Sequence, residues 1–121
     1  MKGLVLSYFT GVDTKNFIEI KATLNENCRL TVATHDIELK GYHEIETMFL
    51  NLWNNHLKVE HTDFKFMTDV ENNKIAAQFK VINTELDGQI QRKSNCNFFV
   101  IKDNKFEMIT IYMAGKNTLF I

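Results

Sequence analysis

KIAAQFKVINTEL, residues 74–86, runs through Asp87-Gly88 into QIQRKSNCNFFVIK, residues 89–102, and the reading of these two segments decides the fold. Both alternate β-branched and aromatic residues with polar ones, and Asp-Gly between two such runs is the chemistry of a tight hairpin turn. Toward the N-terminus, Lys58 to Asp69 is a third run of this kind, set off by Glu71-Asn72-Asn73. Toward the C-terminus, Asp103-Asn104 precedes a fourth, Lys105 to Met113. Turn residues at these intervals predict a meander of long antiparallel strands. Proline is absent from the chain, so nothing interrupts the ladders. Phe98-Phe99-Val100-Ile101 is apolar at successive positions, which predicts a strand covered on one face by the core and on the other by a second copy of the chain.

Upstream of the meander the period changes. Ile45, Met48, Phe49, Leu52, Trp53 and His56 recur at steps of three and four within residues 43 to 56, the signature of an amphipathic helix lying on the sheet. Before it, Cys28 to Thr34 and Ile37 to Gly41 read as two short strands around a His35-Asp36 turn. Leu4, Val5, Tyr8, Phe9 and Val12 form one stripe of a first helix over residues 3 to 12. Asp13-Thr14 then predicts the N-cap of a second helix, whose apolar positions run from Phe17 to Leu24 and stop at Asn25-Glu26-Asn27. The expected fold class is α+β: about three helices covering the concave face of a strongly curved, cone-shaped antiparallel sheet of about six strands, the first ones short.

The 121 residues suit one domain, residues 1 to 121, with no internal repeat or linker. A formal charge of −1, from 14 basic and 15 acidic residues, supplies no field for nucleic acid or an anionic membrane. No apolar run is long enough to span a bilayer, and the opening Met1-Lys2-Gly3-Leu4-Val5-Leu6 lacks a small-residue cleavage site, so a soluble, cytoplasmic protein is expected. Cys28 and Cys96, without CxxC spacing, are expected as free thiols. The histidines at 35, 43, 56 and 61 show no metal-ligand spacing, and five glycines form no phosphate loop. Neither Ser7 nor Ser94 sits in a nucleophile elbow. Neither a metal nor a cofactor is expected.

The element order, with Tyr8-Phe9 in the first helix, Leu24-Asn25-Glu26-Asn27-Cys28 entering the first strand, Gly41-Tyr42-His43-Glu44-Ile45 opening the long helix, and Lys105-Phe106 to Tyr112-Met113 near the end, resembles the SnoaL-like, nuclear transport factor 2-like superfamily over nearly the whole chain. The resemblance implies a cone-shaped sheet closed by helices around an apolar pocket, usually in a protein that dimerises through its outer sheet face. It includes ketosteroid isomerase, scytalone dehydratase and polyketide cyclases, and also proteins without enzymatic activity. By that resemblance Tyr8 looks like the tyrosine that hydrogen-bonds a developing enolate oxygen. Val32 then falls where a general-base carboxylate should stand, and Asn97 where a protonated carboxylic acid should. Asparagine can still donate to an oxyanion, whereas valine cannot take a proton.

Other residues must therefore carry any acid–base step. His35-Asp36 at a turn near the pocket mouth is either an imidazole–carboxylate catalytic pair or a solvated turn. His56 either enters the cavity or favours the negative end of the long helix. His61 and Asp63, two apart on a strand, share a face and read as a surface pair, with Phe64 and Phe66 opposite them in the core. Trp53 is either an aromatic wall for a ligand or ordinary core. Asn95 and Asn97 either orient a ligand or lie in an interface. The expected pocket is lined by Tyr8, Met48, Leu52 and Trp53, with His56 and Asn97 among its polar groups. The expected function is binding of a small apolar molecule, by a homodimer. The alternatives are an isomerase, cyclase or lyase acting on an apolar carbonyl compound, and a non-catalytic dimeric interaction module.

Overall fold

The computed structural model describes residues 1–119. Helix α1, Lys2–Asp13, buries Val5, Tyr8, Phe9, Gly11 and Val12 along one stripe. It stops where Lys15 turns to a positive φ of 57°. The cap of α2, Phe17–Lys21, is Asn16, whose Oδ1 accepts from the Glu19 N–H at 3.3 Å. Asp13-Thr14 is therefore not the cap expected from the sequence; Asp13 ends α1 and its carboxylate is used elsewhere. Gly11 is required by the hairpin of α1 and α2, because a Cβ there would stand 2.6 Å from Ile20 Cγ1 and 2.9 Å from its backbone nitrogen.

The second helix is shorter than its apolar pattern predicted. Thr23 Oγ1 donates to the Ile20 carbonyl at 2.6 Å, and Leu24 already belongs to strand β1, Leu24–Val32. A single 3-10 turn, Ala33–His35, and Asp36 in the left-handed region lead to β2, Ile37–Lys40. Helix α3, Gly41–Asn54, turns Ile45, Met48, Phe49 and Leu52 inward. The meander follows as β3, His56–Asp69, β4, Lys74–Glu85, β5, Ile90–Lys102, and β6, Lys105–Met113.

The six strands form one curved, unclosed sheet in the order β2-β1-β6-β5-β4-β3. All neighbours are antiparallel except β1 and β6, which run parallel because the chain crosses from one side of the sheet to the other between them. The concave face carries the core: Leu30, Ile75, Ala77, Phe79, Phe99, Phe106 and Ile109 are buried against the helices. Phe99 points in and Phe98 out, as successive strand residues must; Phe98 is 50% exposed, and its ring meets Tyr112 at 5.7 Å on the outer face.

One irregularity in β3 alters the expected facing of its side chains. Thr62 pairs with Lys80 and Lys65 with Gln78, so β3 advances three residues while β4 advances two. This is a β-bulge, with Asp63 at a φ of 55°. The extra residue reverses the alternation, so that His61 lies on the same face as Phe64, and both rings pack against Phe9. The expected surface pair of His61 and Asp63 is thereby replaced by an inward histidine.

Candidate functional site

The inner stripes of α1 and α3 meet the concave face around a partly open space of about 40 Å³. Tyr8, Phe9 and Val12 come from α1, and Met48, Phe49 and Leu52 from α3. The sheet supplies His61 from β3, Phe79, Val81 and Asn83 from β4, Asn95 and Asn97 from β5, and Ile111 and Met113 from β6. Thr118 and Leu119, buried in the tail after β6, close the end. At roughly 10–15 Å³ per water, such a space holds a few waters. A larger ligand requires the lining or the tail to move.

The polar groups gather at the end nearer the tail. On β4 the inward positions Ile75, Ala77, Phe79 and Val81 continue into Asn83, and on β5 Asn95 and Asn97 precede Phe99. Asn95 Oδ1 accepts from the Ala114 N–H at 3.0 Å and so positions the tail. The Oδ1 atoms of Asn83 and Asn97 are buried without a hydrogen-bond partner among the described residues. Leaving a buried acceptor unmade costs ~1–3 kcal/mol, so two such oxygens in one lining weigh against the stability of this end of the fold.

His61 is the titratable group in this lining that also has a fixed orientation. Its Nδ1 lies 2.6 Å from Asp13 Oδ1, and its backbone N–H donates to Asp13 Oδ2 at 2.8 Å. Both carboxylate oxygens at the end of α1 are thus spent on one residue of β3. Because a carboxylate only accepts, Nδ1 carries the proton and Nε2 is left as the atom that can give or take one. The ring is held between Phe9, at 4.7 Å, and Phe79, at 5.4 Å.

Tyr8 lies in the same lining as Asn97, with no hydrogen bond between them. Its ring stands edge-on to Phe9, Phe49, Phe99 and Phe106. Burial, with a smaller contribution from Cys28, pushes the phenol well above its usual range, so Tyr8 is a neutral hydrogen-bond donor at any physiological pH. Cys28 is itself pushed up to about 12, by burial first and Glu107 second. Both Cys28 and Cys96 are free thiols.

Met48 and Leu52 line the cavity, whereas several other candidate residues stand elsewhere. Trp53 stacks on Phe49 at 5.8 Å and donates its indole N–H to the Val12 carbonyl at 2.9 Å, which ties α3 to the end of α1 outside the lining. His56 is buried but lies outside it too, with Nδ1 2.7 Å from the Leu52 carbonyl and Nε2 3.9 Å from Glu85. His35 contacts Thr34 Oγ1 at 2.8 Å and the Gly115 carbonyl at 3.0 Å, so it holds the tail; neither it nor Asp36 joins the lining. Val32 is buried core. Sequence reasoning passed over Asp13 and Asn83. The break in the apolar alternation of β4 could have exposed Asn83, but no local signal ties Asp13 to His61, 48 residues away. Among the described residues no group of three or more His, Cys, Asp or Glu could hold a metal ion.

No family model matches the chain, and no curated protein matches it. Solved structures do. A candidate polyketide cyclase of Xanthomonas campestris superposes with a TM-score of 0.84 at 16% identity, over 92% of this chain and 87% of that one. An NTF2-like protein of unknown function from Burkholderia pseudomallei gives 0.82 at 10% identity, over 97% and 90%. TerC, co-crystallised with polyporic acid, gives 0.81 at 9% identity, over 92% and 88%. At these identities the likeness is one of architecture, and it agrees with the helices, the curved sheet and the strand order described above: the chain has the SnoaL-like, nuclear transport factor 2-like fold.

Proposed function

We propose that the protein binds a small, largely apolar molecule in this cavity, and that His61, oriented by Asp13, exchanges a proton with it in isomerase, cyclase or lyase chemistry on a carbonyl compound. The observation that carries the reading is the 2.6 Å contact between His61 and Asp13 at the edge of an aromatic cavity. A histidine with one nitrogen fixed on a carboxylate presents the other as an acid or base. Tyr8 and the Asn97 amide supply donors for an oxygen that gains negative charge, and Met48, Leu52 and Phe49 supply the apolar wall. That one structural neighbour is a candidate polyketide cyclase and another was co-crystallised with polyporic acid supports a small-molecule ligand.

The test is deuterium exchange in D2O with a panel of small aryl ketones, followed by proton NMR. Exchange of hydrogens next to the carbonyl should be at least ~100-fold faster with the native protein than with His61→Gln, the usual size of a general-base contribution. A ketone that binds without enhanced exchange would leave a binding protein and remove the proton transfer. Absence of any bound ketone would remove the cavity reading altogether.

We also infer a homodimer through the outer sheet face. Phe98, 50% exposed, and Tyr112, 46% exposed, meet edge to face there as diagonal neighbours on β5 and β6, and an exposed aromatic pair on the outer strand surface favours a partner. Light scattering should give twice the 14.1 kDa chain mass, and a monomer at micromolar concentration would contradict it.

A further inference from the structure

Lys93 is inward-facing on β5, two residues before Asn95, and half-buried. Its ammonium donates to the Lys116 carbonyl at 3.2 Å and to Thr118 Oγ1 at 3.3 Å, both in the tail that closes the cavity. Among the described residues no carboxylate stands within ion-pair distance of it. A partly buried cation whose partners among the described residues are two neutral oxygens is incompletely compensated by them, and burial lowers its pKa to about 8.

The strand register gives this cation a direction. Lys93 pairs with Val81, and Val81 pairs with His61. The three side chains therefore form one row across the concave face, with His61 two strands from Lys93, roughly 10 Å at ~4.8 Å per strand. Val81 and His61 line the cavity directly, and Lys93 reaches its edge through Thr118.

We propose that Lys93 anchors the carboxylate of a small acidic ligand whose apolar body extends over Val81 toward His61, the Lys116 carbonyl and Thr118 hydroxyl occupying the carboxylate's place until it binds. The anion replaces two neutral acceptors by charged ones, which are the stronger partners for an ammonium. The same exchange releases the tail from Lys93 and enlarges a space that is otherwise a few waters in size. The inference rests on the cavity reading above and adds the charge of the ligand and the point at which it is held.

The experiment compares 3-phenylpropanoate with the neutral 3-phenylpropanamide by titration calorimetry at pH 7. The native protein should bind the acid at least ~10-fold more tightly than the amide, the ratio expected when a charged hydrogen bond replaces a neutral one. Lys93→Met should abolish that preference while keeping the affinity for the amide, and Lys93→Arg should restore most of it. Lys93→Gln, which retains a donor for the tail, replaces Lys93→Met if the latter does not fold. Equal affinities for acid and amide, or a preference that survives Lys93→Met or Lys93→Gln, would overturn the anchor and leave the cavity reading standing. Binding of neither compound would overturn both.

Discussion

Along β4 and β5 the same concave face passes from a packed end to a polar end within a few residues. At the packed end Ile75, Phe99, Phe106 and Ile109 are sealed, and Phe99 and Phe106 lie 4.5 Å apart. At the other end Asn83, Asn95, Asn97 and His61 face the cavity, and two amide oxygens lack partners among the described residues. Burial is nearly as deep at Asn97, 2% exposed, as at Ile75 in the packed end, 1% exposed. Depth therefore does not distinguish the two ends; the satisfaction of the buried groups does. The packed end stabilises the fold through apolar area, and the polar end is retained against a stability cost.

The largest effect expected from this contrast is at the packed end. Phe99→Ala should destabilise by ~3–5 kcal/mol, the range for emptying a buried aromatic site. Urea denaturation followed by tryptophan fluorescence, which Trp53 provides, measures it. A loss below ~1 kcal/mol would mean that this end is not well packed.

A smaller loss is expected where the end of α1 is tied to β3. Asp13→Asn should cost ~1–3 kcal/mol, because His61 loses a carboxylate that accepts from both its ring and its backbone. The same variant should slow any proton transfer by altering which imidazole nitrogen carries hydrogen. An unchanged urea midpoint would show that the pair is loose in solution.

The smallest effect is a pH dependence at Lys93. Its pKa is about 8 in the folded protein against an ordinary 10.5, so the folded state loses this proton first. Between about pH 8 and 10.5 the unfolded chain binds more protons from this residue, and its contribution to stability rises with pH. Below pH 8 the burial penalty is fully present and the contribution is flat. Solvent screens the half-exposed group, so the rise is modest. Lys93→Met should remove it, which the difference between the two urea midpoint profiles from pH 7 to pH 10 will show.

The packed end was legible in the sequence because its signals are local. Alternation fixed β4 and β5, Asp87-Gly88 fixed their turn, and the three–four spacing of Ile45, Met48, Phe49 and Leu52 fixed α3. Helix α2 was overextended because Ala22 and Leu24 continue its apolar pattern, although Leu24 is buried as the first residue of β1 beside Phe106. Of the polar end, Tyr8, Met48, Leu52, Asn95 and Asn97 could be read from strand and helix faces. His61 could not, because the bulge at Asp63 reverses the facing that a period of two implies. The role of Asp13 was hidden by its suitability as a cap, and that of Lys93 by the ordinary expectation that a strand lysine is solvated. His35 was expected at the cavity mouth, but it stands outside the lining and contacts Thr34 Oγ1 and the Gly115 carbonyl of the tail.

A polar end kept for a ligand makes Asn83 and Asn97 dispensable to the fold. The double variant Asn83→Leu/Asn97→Leu tests it most directly, with urea stability and calorimetric binding of 3-phenylpropanamide measured on the same preparations. Replacing side chains whose buried amide oxygens lack a partner among the described residues by apolar ones of similar volume should leave stability unchanged or raise it by ~1 kcal/mol or more, while affinity for the amide falls at least ~10-fold. A destabilised double variant that binds the amide as tightly as the native protein would contradict the account, because it would show that these asparagines serve the fold and not the ligand.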